Sequence, residues 1–147
     1  MDRIYLKRKI DTFLFNWKEN PERKPLIVKG ARQVGKTVSI CRFADENYKS
    51  VIYINFVEEP KYKLITEDGY KTDDIIRNIS RMDPSKKFIA GDTKLIFDEL
   101  QEFPEIATSL KFFKTDGRFD VICSGSLLGF STRELRVTVW VTRRITI

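Results

Sequence analysis

The chain has 147 residues and a formal net charge of +6, from 27 Lys and Arg against 21 Asp and Glu. Its composition, 41% hydrophobic and 33% charged, is typical of one globular domain and excludes disordered, collagen-like and coiled-coil chains. The absence of histidine excludes Ser-His-Asp triads and His-ligated zinc sites. The apolar runs are far shorter than the ~20 residues of a membrane span, and the N-terminus lacks the apolar segment of a secretion signal. We therefore expect a cytoplasmic protein with no membrane partner.

The apolar pattern predicts alternating helices and strands. A helix over residues 4–18 carries apolar residues every three or four positions and ends before Asn20-Pro21. Strands are predicted at residues 24–29, 51–56, 94–98 and 120–124, and helices at 36–47, around 75–82 and from Pro104 onward. The order of strand, helix and strand indicates parallel pairing with a right-handed crossover. Cys41 and Cys123 fall on segments that this pattern predicts to be buried, so we expect inert core thiols.

The positive charge is concentrated at the C-terminus. Residues 132–147 contain four arginines and one glutamate, a net +3 and half of the total excess. The net charge of +6 is by itself a poor argument for nucleic-acid binding, because such binding requires the positive charges to form a patch.

Residues 30–37 read Gly-Ala-Arg-Gln-Val-Gly-Lys-Thr and fit the phosphate-binding pattern G-x-x-x-x-G-K-[ST] without a mismatch. The segment follows a predicted strand and opens a predicted helix, as the pattern requires. In such a loop Lys36 neutralises the β- and γ-phosphates of a nucleotide and the Thr37 hydroxyl binds Mg²⁺. The predicted nucleotide-binding residues are Gly30, Ala31, Arg32, Gln33, Val34, Gly35, Lys36, Thr37 and Val38. The alternative is a glycine turn that caps a helix and binds nothing.

A second motif is the apolar strand from Lys94 that ends in two carboxylates, Asp98 and Glu99. We predict that Asp98 holds Mg²⁺ together with Thr37, and that Glu99 reaches the water that attacks the γ-phosphate. Many P-loop kinases and GTPases lack the second acid, so the pair favours an ATPase. The alternative is that two acids end a strand in solvent.

The predicted fourth strand runs into Ser124-Gly125-Ser126. Ser124 or Ser126 is placed to sense the γ-phosphate, although Ser-Gly-Ser turns are also common in proteins that bind nothing. Lys36, Glu99, Ser124 and Ser126 are the candidate catalytic residues. Gln101 either orients the nucleophile or caps the next turn. Arg118 is either an arginine finger that acts on the site of another copy of the chain or a side chain exposed to solvent.

Four segments together resemble one family: residues 24–37, 53–56 (Tyr-Ile-Asn-Phe), 96–101 (Ile-Phe-Asp-Glu-Leu-Gln) and 125–129 (Gly-Ser-Leu-Leu-Gly). The resemblance is to prokaryotic AAA+-type ATPases that carry a C-terminal domain of unknown function, sometimes described as nuclease-like. It covers about residues 1–130. It implies a three-layer α/β P-loop fold with a mostly parallel sheet, and it gives Lys36, Thr37, Asp98 and Glu99 the roles stated above. The serines after the fourth strand take the sensor position.

Residues 132–147 do not resemble this family, whose members continue into a fifth strand, a helical lid and the C-terminal domain. One back-translation of residues 133–147, read in the minus-one frame, does resemble the continuation. Our hypothesis is a frameshift near residue 131 that leaves the fold incomplete at its C-terminus, with an ATPase core over residues 1–131 and an atypical basic tail over 132–147. The alternative is a genuine short paralogue in which residues 137–141 form an additional strand. Without the fifth strand, the first strand has an unpaired edge that favours association between copies.

The sequence therefore predicts an ATP-binding protein with Mg²⁺-dependent ATP hydrolysis. One alternative is a truncated nucleotide-binding module that does not hydrolyse ATP. The other is a nucleic-acid-associated ATPase fragment. Expected partners are ATP, Mg²⁺, further copies of the chain and an unidentified protein client.

Overall fold

The computed structural model describes the backbone of residues 2–30 and 34–126, and the side chains of residues 10–28 and 37–125. Within these residues the helices are α1 (Asp2–Glu19), α2 (Val34–Asn47), α3 (Thr72–Met82) and α4 (Leu110–Asp116). The strands are β1 (Leu26–Gly30), β2 (Ser50–Asn55), β3 (Thr93–Asp98) and β4 (Asp120–Ser126). Short 3-10 helices cover Pro60–Thr66, Leu100–Glu102 and Pro104–Ser109.

The four strands form one parallel sheet in the order β1-β4-β3-β2. β3 is buried at every position, as expected of a strand covered by helices on both faces. All four strands are those that the sequence predicts, within two residues at each end. The fifth strand of the resembled family, and the alternative strand over residues 137–141, fall outside the described residues.

Two hydrophobic clusters lie on opposite faces of the sheet. On one face, α1 and α2 pack on alternate strand residues, among them Leu26, Val28, Ile96 and Ile122. On the other face, α3, α4 and the 3-10 helices pack on the intervening residues, among them Ile27, Ile54, Phe97 and Val121. Because successive side chains of a strand point to opposite faces, this alternation confirms the predicted three-layer α/β architecture.

The chain contains tighter helical turns than the sequence indicates, one within a predicted helix and one before another. The segment from Pro104 is a 3-10 helix as far as Ser109, whose hydroxyl donates to the Ile106 carbonyl at 2.6 Å, and it becomes α-helical only at Leu110. Before α3, a further 3-10 helix over Pro60–Thr66 buries two side chains in the core. The chain uses these short helices because 3-10 geometry fits pieces too short for a stable α-helix.

The two cysteines differ in burial. Cys123, on β4, has no exposed surface, as expected. Cys41, on α2, is only partly buried, so the prediction of a buried helix face is wrong at this position. Burial, with smaller contributions from Asp45 and Asp98, raises the pKa of the Cys41 thiol to about 11, which keeps it protonated near neutral pH. None of the described helices is both long and apolar enough to span a membrane.

Candidate functional site

The phosphate-binding pattern lies where β1 ends and α2 begins. Gly30 is the last residue of β1, and Val34 is the first of α2, so the strand-to-helix context that the motif requires is present. Of the predicted binding residues, Ala31, Arg32 and Gln33 lie outside the described residues. Only the backbone is described for Gly30, Val34, Gly35, Lys36 and Ser126. Val38 is described and is 45% exposed.

Polar residues form a row across the carboxyl end of the sheet. The strand register pairs Val28 with Ser124, Ser124 with Asp98, and Asp98 with Asn55. Val28 belongs to the cluster under α1 and α2, so the paired side chains in this row face the same helices. Ligands of open parallel sheets bind at this end of the strands. The polar residues Ser124, Asp98 and Asn55 therefore span β4, β3 and β2, beside the strand that leads into the phosphate-binding pattern.

Thr37 and Asp98, the two predicted metal ligands, are in contact. The Thr37 hydroxyl, in the first turn of α2, lies 3.3 Å from Oδ2 of Asp98. Asp98 is only 5% exposed, and its other oxygen, Oδ1, accepts the backbone N–H of Glu99 at 2.8 Å. Among the described side chains, no Lys or Arg forms an ion pair with Asp98. The described groups that donate to this carboxylate, namely the two hydroxyls of Thr37 and Tyr53 and the backbone N–H of Glu99, are all neutral.

Tyr53 and Asn55 extend this contact to the edge strand β2. The Tyr53 hydroxyl donates to Oδ2 of Asp98, the oxygen that also faces Thr37. Burial, followed by the hydrogen bond to Asp98, raises the pKa of Tyr53, so its hydroxyl keeps its proton near neutral pH. Sequence reasoning missed this contact. The available signal was a pair of polar residues at alternate positions in an otherwise apolar strand.

Glu99, the predicted base, has a left-handed backbone conformation with φ 59° and ψ 47°. It is the single non-glycine residue with positive φ in the described part of the chain. Such a conformation costs an L-residue roughly 1 to 2 kcal/mol, and residues held in such strained conformations cluster at functional sites. The Gln101 side chain donates to Oε2 of Glu99 at 2.7 Å. Gln101 therefore contacts the predicted base itself.

Ser124 lies next to Asp98 in the register and is 1% exposed. Its hydroxyl has no hydrogen-bond partner among the described residues. An unpaired buried hydroxyl costs about 1 to 3 kcal/mol, so it needs a reason at this place in the sheet. A hydroxyl one strand away from the metal ligands fits the predicted role in sensing a phosphate.

Arg118 lies at the opposite end of the sheet, two residues before β4 begins. Its guanidinium forms ion pairs with Asp116 and with Asp73 at the start of α3. These two contacts explain why the pKa of Arg118 is raised. Within one copy of the chain, Arg118 is far along β4 from Ser124 and takes no part in the site.

The donor set fits a magnesium nucleotide. Mg²⁺ prefers oxygen ligands, and a hydroxyl and a buried carboxylate meet at the start of the helix that the phosphate-binding pattern opens. The unpaired Ser124 hydroxyl adds a hydrogen-bonding group at the same edge. The N-terminus of α2 favours an anion by its dipole. Residues that sequence reasoning chose for their separate motifs thus share one edge of the sheet.

Comparison with solved structures supports the same fold. C. elegans PCH-2 superposes with a TM-score of 0.59 at 12% sequence identity, covering 96% of this chain and 42% of that chain. A chain of Drosophila ORC bound to AT-rich DNA and Cdc6 gives a TM-score of 0.53 at 11% sequence identity, covering 92% of this chain and 53% of that chain. A chain of Drosophila ORC bound to DNA gives a TM-score of 0.52 at 12% sequence identity, covering 90% of this chain and 86% of that chain. The chain thus spans about half or less of the length of the first two.

A search of curated proteins gave no match. A family profile described as "AAA domain", AAA_14, matches residues 22–143. The match runs beyond residue 131, the predicted end of the ATPase core. The frameshift near that residue stays a prediction. The profile covers most of the chain, including the glycine-rich residues 30–37 and the acidic pair Asp98 and Glu99. The chain therefore belongs to the AAA-domain family, with a nucleotide-binding core of the ATPase type.

Proposed function

We propose that the chain binds ATP with Mg²⁺ at the carboxyl edge of the sheet and hydrolyses it. The observation that carries this proposal is the 3.3 Å approach of Thr37 to Asp98, between the helix of the phosphate-binding motif and the end of β3. Backbone amides of residues 30–37 and the Lys36 ammonium hold the phosphates. Thr37 and Asp98 hold the metal, which when bound neutralises charge on the β- and γ-phosphates.

Hydrolysis in this proposal depends on Glu99. Its carboxylate accepts a proton from the attacking water, while Gln101 and the left-handed backbone set its direction. The Ser124 hydroxyl donates to a phosphate oxygen, and Ser126 is its neighbour on the same strand end. These residues act by positioning and charge, as phosphoryl transfer requires little covalent chemistry from the protein.

Phosphate release under saturating Mg²⁺ and ATP tests the proposal, with Glu99→Gln as the variant. Glu102→Gln is the matched control, because Glu102 is exposed and lies three residues further along the same turn. We expect Glu99→Gln to lower the rate by ~100-fold or more while ATP affinity changes little, since general-base catalysis contributes about 10²- to 10⁴-fold. Equal rates in Glu99→Gln and the wild-type chain would contradict this role. Binding without release in the wild-type chain would instead identify a non-hydrolysing nucleotide-binding module.

Association with nucleic acid is a second candidate, because residues 132–147 contain four arginines and carry half of the net positive charge. If residues 132–147 carry this binding, their deletion removes a net charge of +3 and weakens DNA affinity, most strongly at low salt. DNA affinity that survives the deletion would assign the binding to the core. We also predict that copies of the chain associate with one another and that the chain binds a protein client. Both remain predictions.

A further inference from the structure

The hydroxyl of Tyr53 is the contact between the edge strand β2 and the metal-binding carboxylate. It donates to Oδ2 of Asp98, and the Thr37 hydroxyl lies 3.3 Å from the same oxygen. Tyr53 and Asp98 lie on neighbouring strands, with Asn55 directly opposite Asp98 in the register. The tyrosine ring therefore crosses diagonally from β2 to β3 to reach the carboxylate.

The direction of this hydrogen bond is fixed by Asn55. The Asn55 side-chain amide donates to the Tyr53 hydroxyl oxygen at 3.3 Å, so the tyrosine proton is left for Asp98. The other end of the amide is also held, since Asn55 Oδ1 accepts the backbone N–H groups of Val57 at 2.8 Å and Glu58 at 3.0 Å. The turn after β2, the amide, the hydroxyl and the carboxylate thus form one connected series.

This series restricts how the Asp98 carboxylate can rotate. Oδ1 is held by the Glu99 backbone N–H at 2.8 Å, and Oδ2 is held by Tyr53. Partners that orient a metal ligand in this way typically contribute about 10- to 100-fold to metal affinity. The tyrosine places no charge on the site, so Asp98 is oriented without its negative charge being neutralised.

We propose that Tyr53 is a positioning residue that orients Asp98 for Mg²⁺ and so sets the magnesium dependence of nucleotide binding. The inference rests on the proposed function. It assigns Tyr53 no contact with the nucleotide and no part in the chemical step. Its removal changes the response to magnesium and leaves the affinity for metal-free ATP as it is.

Tyr48 offers a matched control on the same face of the sheet. Its hydroxyl donates to Oδ2 of Asp120 at 2.6 Å, at the amino end of β4 and away from Ser124. Tyr48→Phe and Tyr53→Phe therefore remove the same atom from the same type of tyrosine–aspartate bond. Only one of the two bonds involves a proposed metal ligand.

The experiment is calorimetry of ATP binding to the full chain, first in EDTA and then over a magnesium titration. In EDTA we expect wild type, Tyr53→Phe and Tyr48→Phe to agree within ~2-fold. The Mg²⁺ concentration that gives half of the increase in ATP affinity should rise ~10-fold in Tyr53→Phe and stay unchanged in Tyr48→Phe. In an Asp98→Asn background, Tyr53→Phe should cause no further change.

The possible results separate the inference from the proposed function. A wild-type response to magnesium in Tyr53→Phe, or a wild-type chain that binds ATP equally well with and without Mg²⁺, overturns the inference and leaves ATP binding standing. A wild-type chain that binds no ATP overturns the proposed function and the inference together. Equal magnesium shifts in the two tyrosine variants would show a general effect on folding and would also overturn the inference.

Discussion

The Thr37 hydroxyl lies 3.3 Å from Oδ2 of Asp98, although the two residues are 61 positions apart in the chain. The contact joins the first turn of α2 to the last residue of β3. It exists because β1, which leads into α2, and β3 both lie next to β4 in the parallel sheet. Two motifs that are unrelated in sequence thus become the two sides of the proposed cation site.

Ser124→Ala should separate function from stability. The Ser124 hydroxyl is buried and has no partner among the described residues, so its removal should leave the free energy of unfolding unchanged or raise it by up to ~1 kcal/mol. ATP turnover should fall ~10-fold or more, because a donor to a phosphate oxygen is lost. Chemical denaturation and phosphate release measure the two effects.

Ser109→Ala is the control for that pair of measurements. Ser109 is equally buried, but its hydroxyl donates to the Ile106 carbonyl at 2.6 Å. It should lose ~1 kcal/mol of stability and keep normal turnover. A Ser124→Ala chain that loses stability but no turnover would identify Ser124 as a structural residue.

Gln101→Ala should slow hydrolysis without weakening ATP binding. Its amide donates to Oε2 of Glu99 at 2.7 Å, so the variant removes one of the contacts that orient the carboxylate toward the water. We expect a ~10-fold lower rate of phosphate release at saturating ATP, because misplacing a catalytic group costs rate more than affinity. An unchanged rate would show that Gln101 only supports the turn in which it lies.

The backbone of Glu99 should store a small strain that a glycine relieves. At φ 59°, an alanine has the same steric conflict as the glutamate, whereas glycine has none. Glu99→Gly should therefore be more stable than Glu99→Ala by ~1 kcal/mol, and both should lack hydrolysis. Denaturation of the two variants side by side measures the difference. Greater stability of the alanine variant would contradict a strained backbone at this position.

Lys94 should reduce stability near neutral pH. Its side chain has no exposed surface and its ammonium nitrogen has no hydrogen-bond partner among the described residues; it lies 3.6 Å from the centre of the Trp17 ring. Burial lowers the pKa of Lys94 well below its usual range, against an opposing effect of Asp120. Lys94→Met should raise the free energy of unfolding at pH 7 by about 1 to 3 kcal/mol. The buried amine either loses its proton or keeps its charge without a hydrogen-bond partner among the described residues, and the variant replaces it by an apolar chain.

The pH dependence of that effect follows from the direction of the pKa shift. Between the lowered pKa of the folded chain and the unfolded value of about 10.4, the unfolded state binds more protons at Lys94 than the folded state does. Wild-type stability should therefore rise with pH across this window, and the rise should be smaller in Lys94→Met. Lys87→Met, at an exposed position, should keep the wild-type slope. A less stable Lys94→Met chain would show that the cation–aromatic contact with Trp17 outweighs the burial.

The sequence predicts the strands, their parallel direction and the position of the phosphate-binding motif, because these depend on local patterns. Apolar runs mark the strands, and the spacing within residues 30–37 is complete in itself. The pairing of Thr37 with Asp98 follows once a parallel sheet is assumed.

Two features of the site and one of the core depend on geometry that no local pattern carries. The Tyr53 bond to Asp98 requires the register of β2 against β3, and the left-handed conformation of Glu99 is a backbone angle that its residue type does not favour. The burial of Lys94 requires Trp17 of α1 to lie over β3. A lysine that opens a predicted strand is expected at the solvent, and only packing between distant segments places it in the core.

The most direct test of the central claim is calorimetry of Mg²⁺-ATP binding to the purified chain beside Lys36→Ala and Thr37→Val. The account predicts binding by the wild-type chain, loss of most of that affinity in Lys36→Ala, and in Thr37→Val a loss confined to the magnesium-dependent part. Folded wild-type protein that binds no ATP, or binding that survives Lys36→Ala unchanged, would contradict the assignment of the nucleotide site.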